Sequence, residues 1–147
     1  MREIKLSESS YALLLKETYQ MGMLACTMVN HPDASHIEKV LGRQLQHTIS
    51  SLLNTLGIPH ICTLQHFSDM KHHCEDSIQL SVVLAQTTVY NVLSELNRIE
   101  GLFNMAGDMA CIEQLPTRQQ LCDLYDTYLE VIKEIKHMLE IVMRQKN

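Results

Sequence analysis

Apolar residues recur at a spacing close to 3.6 in four long segments, and this pattern constrains the fold more than any other feature of the 147-residue chain. Only three prolines and five glycines interrupt the chain. The β-branched stretch "SVVLAQTTVY" lacks turn signals and keeps the helical period, so we assign it to the third helix. The pattern predicts helices over residues of about 8–30, 36–56, 75–104 (or from near Ser68) and 118–145.

Capping residues support the predicted helix starts. Ser7 precedes the first segment, and Glu8 is favourable in its first turn. The sequence "SHIE" has the form of a capping box, with Ser35 at the N-cap and Glu38 at N3. Four long helices joined in this way predict an all-α fold, an antiparallel up-down-up-down four-helix bundle formed by one domain, residues 1–147.

Composition argues against several classes of function. The chain carries 17 acidic and 12 basic residues, for a net charge of −5, and it has no basic stripe that would neutralise phosphates. We therefore expect no nucleic-acid partner. It has no run of 18 apolar residues, and "MREIKLSESS" lacks the apolar core of an export signal, so we expect a cytoplasmic protein without a membrane contact. The five cysteines form no CxxC pair and are expected to be reduced thiols.

The third and fourth predicted helices are apolar on more than one face, and a second apolar face must be covered. We expect it to be covered by a second copy in a homodimer, by another protein partner, or by the connection over residues 58–73. The residues concerned are Leu80, Leu84, Met138, Ile141 and Met143. The chain also lacks P-loop, GxGxxG and GxSxG motifs. The leading interpretation is a non-enzymatic interaction or adaptor protein that binds a partner through an apolar helix face.

The stretch "HICTLQHFSDMKHHC" concentrates groups that could bind zinc. Its candidate ligands are His60, Cys62, His66, His72, His73 and Cys74. Their spacing does not give the two close ligand pairs of the usual zinc sites. The alternative is a packed connection, because Leu64 and Phe67 fall in phase with the apolar stripe of the third helix.

Two short patterns resemble ferritin-like four-helix bundles, which place Glu residues and ExxH pairs around two metal ions. "EIKH" spans Glu134 to His137, and "QLQH" spans Gln44 to His47, with Gln44 where that family has a carboxylate. The resemblance implies the bundle fold and a site for two iron ions. With Gln44 in place of a carboxylate the ligand set is too neutral for two iron ions, so we expect no bound cofactor. Helix geometry, however, places His47 about 145° and His137 about 180° from their apolar stripes, which predicts that both face solvent.

Some polar residues lie on or beside the predicted core stripes. Thr18 and Thr48 are expected to hydrogen-bond to carbonyls of their own helices. Glu17 is either a boundary residue that reaches water or a ligand for something cationic. If the interior holds a ligand pocket, we expect Glu17, Gln44 and Gln86 to line it.

Overall fold

A computed structural model describes residues 2–76, 82–112 and 119–145. At residues 75, 76, 109–112 and 119–121 it describes the backbone alone. In chain order the elements are β1 (Glu3–Leu6), α1 (Glu8–Asn30), α2 (His36–Thr55), α3 (Leu64–Asp76), β2 (Val82–Ala85), α4 (Gln86–Ile112) and α5 (Gln119–Arg144). The described part is therefore predominantly helical, as predicted, with a small two-stranded sheet in addition. None of its helices combines the length and the apolar character that crossing a membrane requires.

The first two helices begin as the sequence predicts. The Ser7 hydroxyl accepts a hydrogen bond from the Ser10 N–H at 3.2 Å and so caps α1. At the start of α2 the capping box is complete, because the Ser35 hydroxyl accepts from the Glu38 N–H and the Glu38 carboxylate accepts from the Ser35 N–H, both at 3.2 Å. Beyond α2, Gly57 has a positive φ of 72°, a conformation that glycine adopts without strain.

The prediction of one long third helix is wrong. Residues 64–76 form a separate helix, α3, and Val82–Ala85 form strand β2 before α4 begins at Gln86. The physical reason is a tertiary pairing: Val82–Ala85 lie antiparallel to Glu3–Leu6, and this pairing outweighs the helical period of the segment. The N-terminal strand β1 was not predicted. The segment 77–81 lies outside the described residues.

The sheet has one buried and one exposed face. In its register Ile4 pairs with Leu84, and Leu6 pairs with Val82. Ile4 and Leu6 are almost fully buried, whereas Glu3 and Lys5 between them are exposed. Directly paired residues project to the same side of a sheet, so Leu84 and Val82 share the inner face.

Four pairs of helices make most of the contacts between the described helices. α1 packs against α2 and α3, α2 packs against α4, and α4 packs against α5, which also contacts α1. α3 packs on α1 through Phe67, which is fully buried and lies directly above Gly22. A Cβ atom at Gly22 would lie 2.9 Å from the Phe67 ring, so the absence of a side chain there permits this contact. Tyr19, one turn earlier on α1, has its ring centroid 6.5 Å from that of Phe67.

Candidate functional site

The connection from α2 to α3 carries the first candidate metal ligands. His60 Nδ1 lies 3.2 Å from the carbonyl oxygen of Ile58. The Cys62 thiol is exposed, and its Sγ lies 2.7 Å from the Ser50 hydroxyl on α2. Both candidates therefore contact groups of α2 or of their own loop.

The remaining candidates lie on α3 and point in different directions. The ring Nε2 of His66 is buried and has no hydrogen-bond partner among the described residues. The backbone N–H of His66 donates to the Thr63 hydroxyl, which caps the helix. His72 and His73 are exposed, whereas Cys74 is buried. The prediction that Phe67 packs this segment onto the bundle is confirmed, but Leu64 is exposed.

No group of three or more His, Cys, Asp or Glu side chains comes together to hold a metal ion in the part of the chain that the structure describes. The six candidates of the 60–74 stretch thus do not converge there as zinc would require. The ferritin-like pattern is also on the surface: Gln44, His47, Glu134 and His137 are all exposed. The predicted solvent-facing orientation of the two histidines is confirmed.

A second thiol lies close to Cys62. Cys26 on α1 is buried, and its Sγ accepts a hydrogen bond from Gln46 Nε2 at 3.4 Å. Gln46 and Ser50 are four residues apart, so the two thiols contact successive turns of α2. Burial raises the pKa of Cys26, the Gln46 hydrogen bond opposes this, and the nearby Cys62 adds to the rise. Both cysteines are free thiols.

Glu17 on α1 is half-buried and interacts electrostatically with Lys71 on α3 and with Glu134 on α5. Desolvation raises the pKa of its carboxyl, while Lys16 and Lys71 act in the opposite direction and Glu134 adds to the rise. Its neighbour Tyr128 on α5 is buried, and burial together with the Glu17 charge raises the pKa of that phenol to about 12. Two nearby ammonium groups oppose the binding of a cation, so they favour the boundary-residue alternative for Glu17 over a cation ligand.

The other two predicted ligand residues have different surroundings. Gln44 is exposed on α2. Gln86 begins α4, and its Nε2 lies 3.5 Å from the hydroxyl of the exposed Tyr90. Ligand binding by Glu17, Gln44 and Gln86 together therefore stays a prediction. Two related predictions are confirmed, since Thr18 and Thr48 donate to the carbonyls of Leu14 and Gln44 at 2.6 and 2.9 Å.

The residues predicted to form an oligomer or partner interface divide into core and surface. Met143 is buried within the core, and Met138 is half-buried against it, so the second apolar face of the C-terminal helix is largely internal. Leu84 lies on the inner face of the sheet and is half-buried. Ile141 is exposed. Leu80 lies outside the described residues.

The sequence analysis missed a buried carboxylate. Glu38 is fully buried, and its Oε2 accepts a 2.8 Å hydrogen bond from the hydroxyl of Tyr125 on α5. Its spacing from Leu41 and Leu45 on the buried face of α2 was the available signal. The capping box accounts for a Glu at this position, but its helical phase with the leucines also predicts that the side chain is buried.

A surface with few charges was also missed. We call it the α2–α4 face, and its exposed members are Ile37, Val40, Arg43, Gln44 and His47 on α2, with Asn91, Ser94, Arg98, Gly101, Met105 and Asp108 on α4. On α5, by contrast, the exposed residues include Asp123, Asp126, Glu130, Lys133, Glu134, His137, Glu140 and Arg144. Depletion of charge with retained apolar side chains is typical of protein interfaces.

No protein-family model matches the chain, and comparisons with curated proteins and with solved structures also find no match. The resemblance to ferritin-like proteins gains no support from these comparisons. The function must therefore be argued from the surfaces and sites of this chain.

Proposed function

We propose that this chain is a non-enzymatic, cytoplasmic interaction protein that binds a helix of another protein on the α2–α4 face. The observation that carries the proposal is the group of apolar side chains exposed there, Ile37, Val40 and Met105. Met105 is 55% exposed, Ile37 43% and Val40 39%, and it is their grouping on one face that favours an interface. Leu102 on α4 is half-buried and packs against the core, and its exposed part adds apolar surface to this face.

The proposal requires that the apolar residues of the two helices be neighbours. The Ser51 hydroxyl on α2 donates to Glu95 Oε1 on α4 at 3.1 Å, which sets the relative level of the two helices. Val40 lies about 16 Å along α2 before Ser51, and Met105 lies a similar distance along α4 beyond Glu95. If α2 and α4 run antiparallel, Val40 and Met105 come to the same level on adjoining sides of the two helices.

An antiparallel relation follows from an up-down-up-down order of α1, α2, α4 and α5, which we include in the proposal. Its support is that these four helices pack in sequence and that α5 contacts α1. A further support is the Gln86 N–H, which donates to the Arg2 carbonyl at 3.0 Å. This bond brings the start of α4 to the end of the molecule where α1 also starts. In this arrangement α3 is an addition that packs on α1.

Charge indicates the kind of partner. The ionised side chains on the α2–α4 face are Arg43, Arg98 and Asp108, with His47 beside them. The exposed charges of this face are therefore slightly basic in sum, although the largely buried Glu95 lies 3.8 Å from Arg98 and the whole chain has a net charge of −5. The face complements an amphipathic helix with an apolar stripe and acidic flanks. Another copy of this chain is a less suitable occupant, because its α2–α4 face would bring the same excess of exposed basic side chains to the contact.

The test uses two labelled helical peptides with the same leucine stripe, one flanked by Glu and the other by Lys. We expect the chain to bind the Glu peptide at least tenfold more tightly in fluorescence anisotropy, with an affinity that falls as salt is added. Amide chemical-shift changes should map to α2 and α4. Equal affinity for both peptides, or shift changes confined to other helices, would overturn the proposal.

A matched pair of variants tests the surface itself. Val40→Glu and Leu124→Glu change apolar residues that are both 39% exposed, the first on the α2–α4 face and the second on α5. Only Val40→Glu should abolish binding of the Glu peptide, because it adds a like charge to the contact. Retained binding by Val40→Glu, or an equal loss in Leu124→Glu, contradicts the assignment of the α2–α4 face.

A further inference from the structure

Two thiols of the chain, Cys26 and Cys62, lie against the same side of α2. The Cys26 Sγ accepts a hydrogen bond from Gln46 Nε2 at 3.4 Å, and the Cys62 Sγ lies 2.7 Å from the Ser50 hydroxyl. Side chains four residues apart on a helix are neighbours, with Cβ atoms about 6 Å apart. Gln46 and Ser50 therefore hold the two sulfur atoms at successive turns of one helix. The effect of Cys62 on the pKa of Cys26 agrees with this, because such an effect requires the two groups to be close.

The backbones that carry the two thiols differ in freedom. Cys26 lies on α1, which packs closely on α2 at Gly42, where a Cβ atom would lie 3.1 Å from the Ala25 carbonyl oxygen. Cys62 lies in the connection between α2 and α3, outside any helix or strand. A disulfide requires Cα atoms about 4.4–6.8 Å apart. The connection can adjust to meet this requirement while α1 stays in place.

The two thiols also differ in their access to solvent. Cys62 is exposed, whereas Cys26 is only 3% exposed. A small oxidant that arrives from solvent therefore meets Cys62 first. Redox-sensitive sites commonly consist of an accessible thiol with a second thiol nearby that resolves its oxidised form. Cys62 and Cys26 have these two properties.

We propose that Cys62 and Cys26 are a site of reversible oxidation, at which hydrogen peroxide converts the two thiols into a disulfide. In the first step the Cys62 thiolate attacks one peroxide oxygen, so that an S–O bond forms and the O–O bond breaks. The departing oxygen takes a proton and leaves as water, and Cys62 becomes a sulfenic acid. In the second step the Cys26 sulfur attacks the Cys62 sulfur, so that the S–S bond forms and the S–O bond breaks. The departing hydroxide takes the proton of Cys26 and leaves as water.

The polar neighbours of the two thiols assist both steps. The Gln46 N–H donates to the Cys26 Sγ and stabilises the negative charge that this sulfur carries as it attacks. The same bond opposes the rise in the pKa of Cys26 that burial causes. A hydroxyl rotates to suit its partner, so Ser50 can donate to the Cys62 Sγ in the first step.

Cys74 on α3 is directed at an earlier part of α1. Its charge raises the pKa values of Tyr11 and Tyr19, and Tyr19 lies two turns before Cys26. We therefore expect peroxide to join Cys62 to Cys26 and not to Cys74.

The disulfide would tie the connection before α3 to α1, on which α3 already packs through Phe67 at Gly22. Disulfides of reducing compartments are mostly transient and redox-sensing, so reversal by a thiol reductant is part of the proposal. The site is separate from the α2–α4 face around Val40 and Met105. Either proposal can therefore fail without the other.

The experiment treats the full chain with hydrogen peroxide, blocks the remaining thiols and identifies linked peptides by mass spectrometry without reduction. We expect Cys26–Cys62 to be the main linkage in the folded chain. In urea the same treatment should spread the linkages over the five cysteines, because the fold no longer holds these two together. Oxidation should raise the thermal midpoint by about 5–10 °C, and dithiothreitol should reverse the rise.

Three variants separate the roles of the thiols. Cys26→Ala lacks the resolving thiol, so dimedone, which reacts with sulfenic acids, should label Cys62 about tenfold more than in the wild type. Cys122→Ala is the matched control on α5 and should form the Cys26–Cys62 linkage to the wild-type extent. Cys62→Ser changes an exposed residue and covers the case in which Cys26→Ala fails to fold. It should lose both the linkage and the rise in midpoint.

Several results would overturn the proposal. One is a folded wild type in which peroxide gives no Cys26–Cys62 linkage, or in which other cysteines form the main linkage. Equal dimedone labelling of Cys62 in the wild type and in Cys26→Ala is another. The same rise in midpoint in oxidised Cys62→Ser would overturn it as well.

Discussion

The hydroxyl of Tyr125 donates a 2.8 Å hydrogen bond to Oε2 of Glu38, and both side chains are fully buried. The other carboxylate oxygen accepts the Ser35 N–H in the capping box of α2. One carboxylate therefore completes the start of α2 and links α2 to α5. Because a buried carboxylate is costly without donors, these two hydrogen bonds contribute to the stability of this end of the molecule.

Removing the Tyr125 hydroxyl should destabilise the chain. Tyr125→Phe leaves a buried carboxylate oxygen without this donor, and we expect the free energy of unfolding to fall by about 1–3 kcal/mol. Urea denaturation measures the change. Tyr90→Phe is the control, because Tyr90 is exposed and should change stability by less than about 0.5 kcal/mol. Similar values for the two variants would contradict the structural role of the Glu38–Tyr125 bond.

Two glycines in helices should respond to alanine in opposite ways. In Gly101→Ala the new Cβ meets nothing within 4 Å, so the gain in helix propensity should stabilise the chain by about 0.5–1 kcal/mol. In Gly22→Ala the new Cβ lies 2.9 Å from the Phe67 ring, and α3 must shift away from α1. Thermal unfolding gives the sign of each change. Faster hydrogen exchange over residues 64–76 in Gly22→Ala alone would identify α3 as the displaced element, and unchanged exchange would count against it.

The raised pKa of Glu17 predicts a pH-dependent effect of Glu17→Gln. A carboxyl whose pKa is higher in the folded chain than in the unfolded chain binds protons more tightly when folded. Its ionisation therefore lowers stability as pH rises from about 4.5 through the folded pKa. We expect Glu17→Gln to be more stable than the wild type at pH 7 and to lose this advantage near pH 4. Urea denaturation at several pH values tests this.

Glu140→Gln is the control for Glu17→Gln, because it removes the same single negative charge from an exposed position on α5. Its stability relative to the wild type should vary little over the same pH range. If Glu17→Gln were instead less stable at pH 7, the electrostatic attraction of Lys16 and Lys71 would outweigh the desolvation of the Glu17 carboxyl.

Two ion pairs of α5 differ in exposure and should differ in energy. Lys136 reaches Glu100 on α4 at 3.2 Å, and these side chains are 21% and 24% exposed. Lys133 lies 3.5 Å from Glu130 of its own helix, and these side chains are 60% and 73% exposed. We expect Lys136→Gln to cost about 1 kcal/mol and Lys133→Gln close to zero in chemical denaturation. Equal losses would indicate that the pair between α4 and α5 contributes no more than a surface pair.

The helices with strong local signals were the predictable part of the fold. α1 and α2 begin where Ser7 and the Ser35–Glu38 capping box predicted, because a cap is a contact between residues close in sequence. Strand β2 was not predictable in this way. Val82–Ala85 become a strand only because Glu3–Leu6 lie beside them, and nothing local in "SVVLAQTTVY" shows that partner.

The candidate sites show the same limit. The helical period correctly placed His47 and His137 on the surface, since exposure on a regular helix follows from phase. It did not reveal that Glu38 faces Tyr125, because that contact depends on how α2 and α5 are arranged. The C-terminal helix does carry apolar residues beyond its main stripe, but one of them, Met143, is buried in the core and does not face a partner.

The pairing of Leu6 with Val82 joins residues that are separated by more than half of the chain. During synthesis β1 leaves the ribosome long before its partner strand exists, so α1 and α2 can fold while Glu3–Leu6 have no strand to pair with. Closing so long a loop is costly in entropy until the helices have brought its ends together. The sheet should therefore form late in folding, and the rate of that step should be sensitive to changes at Ile4 and Leu84 more than to changes in α2.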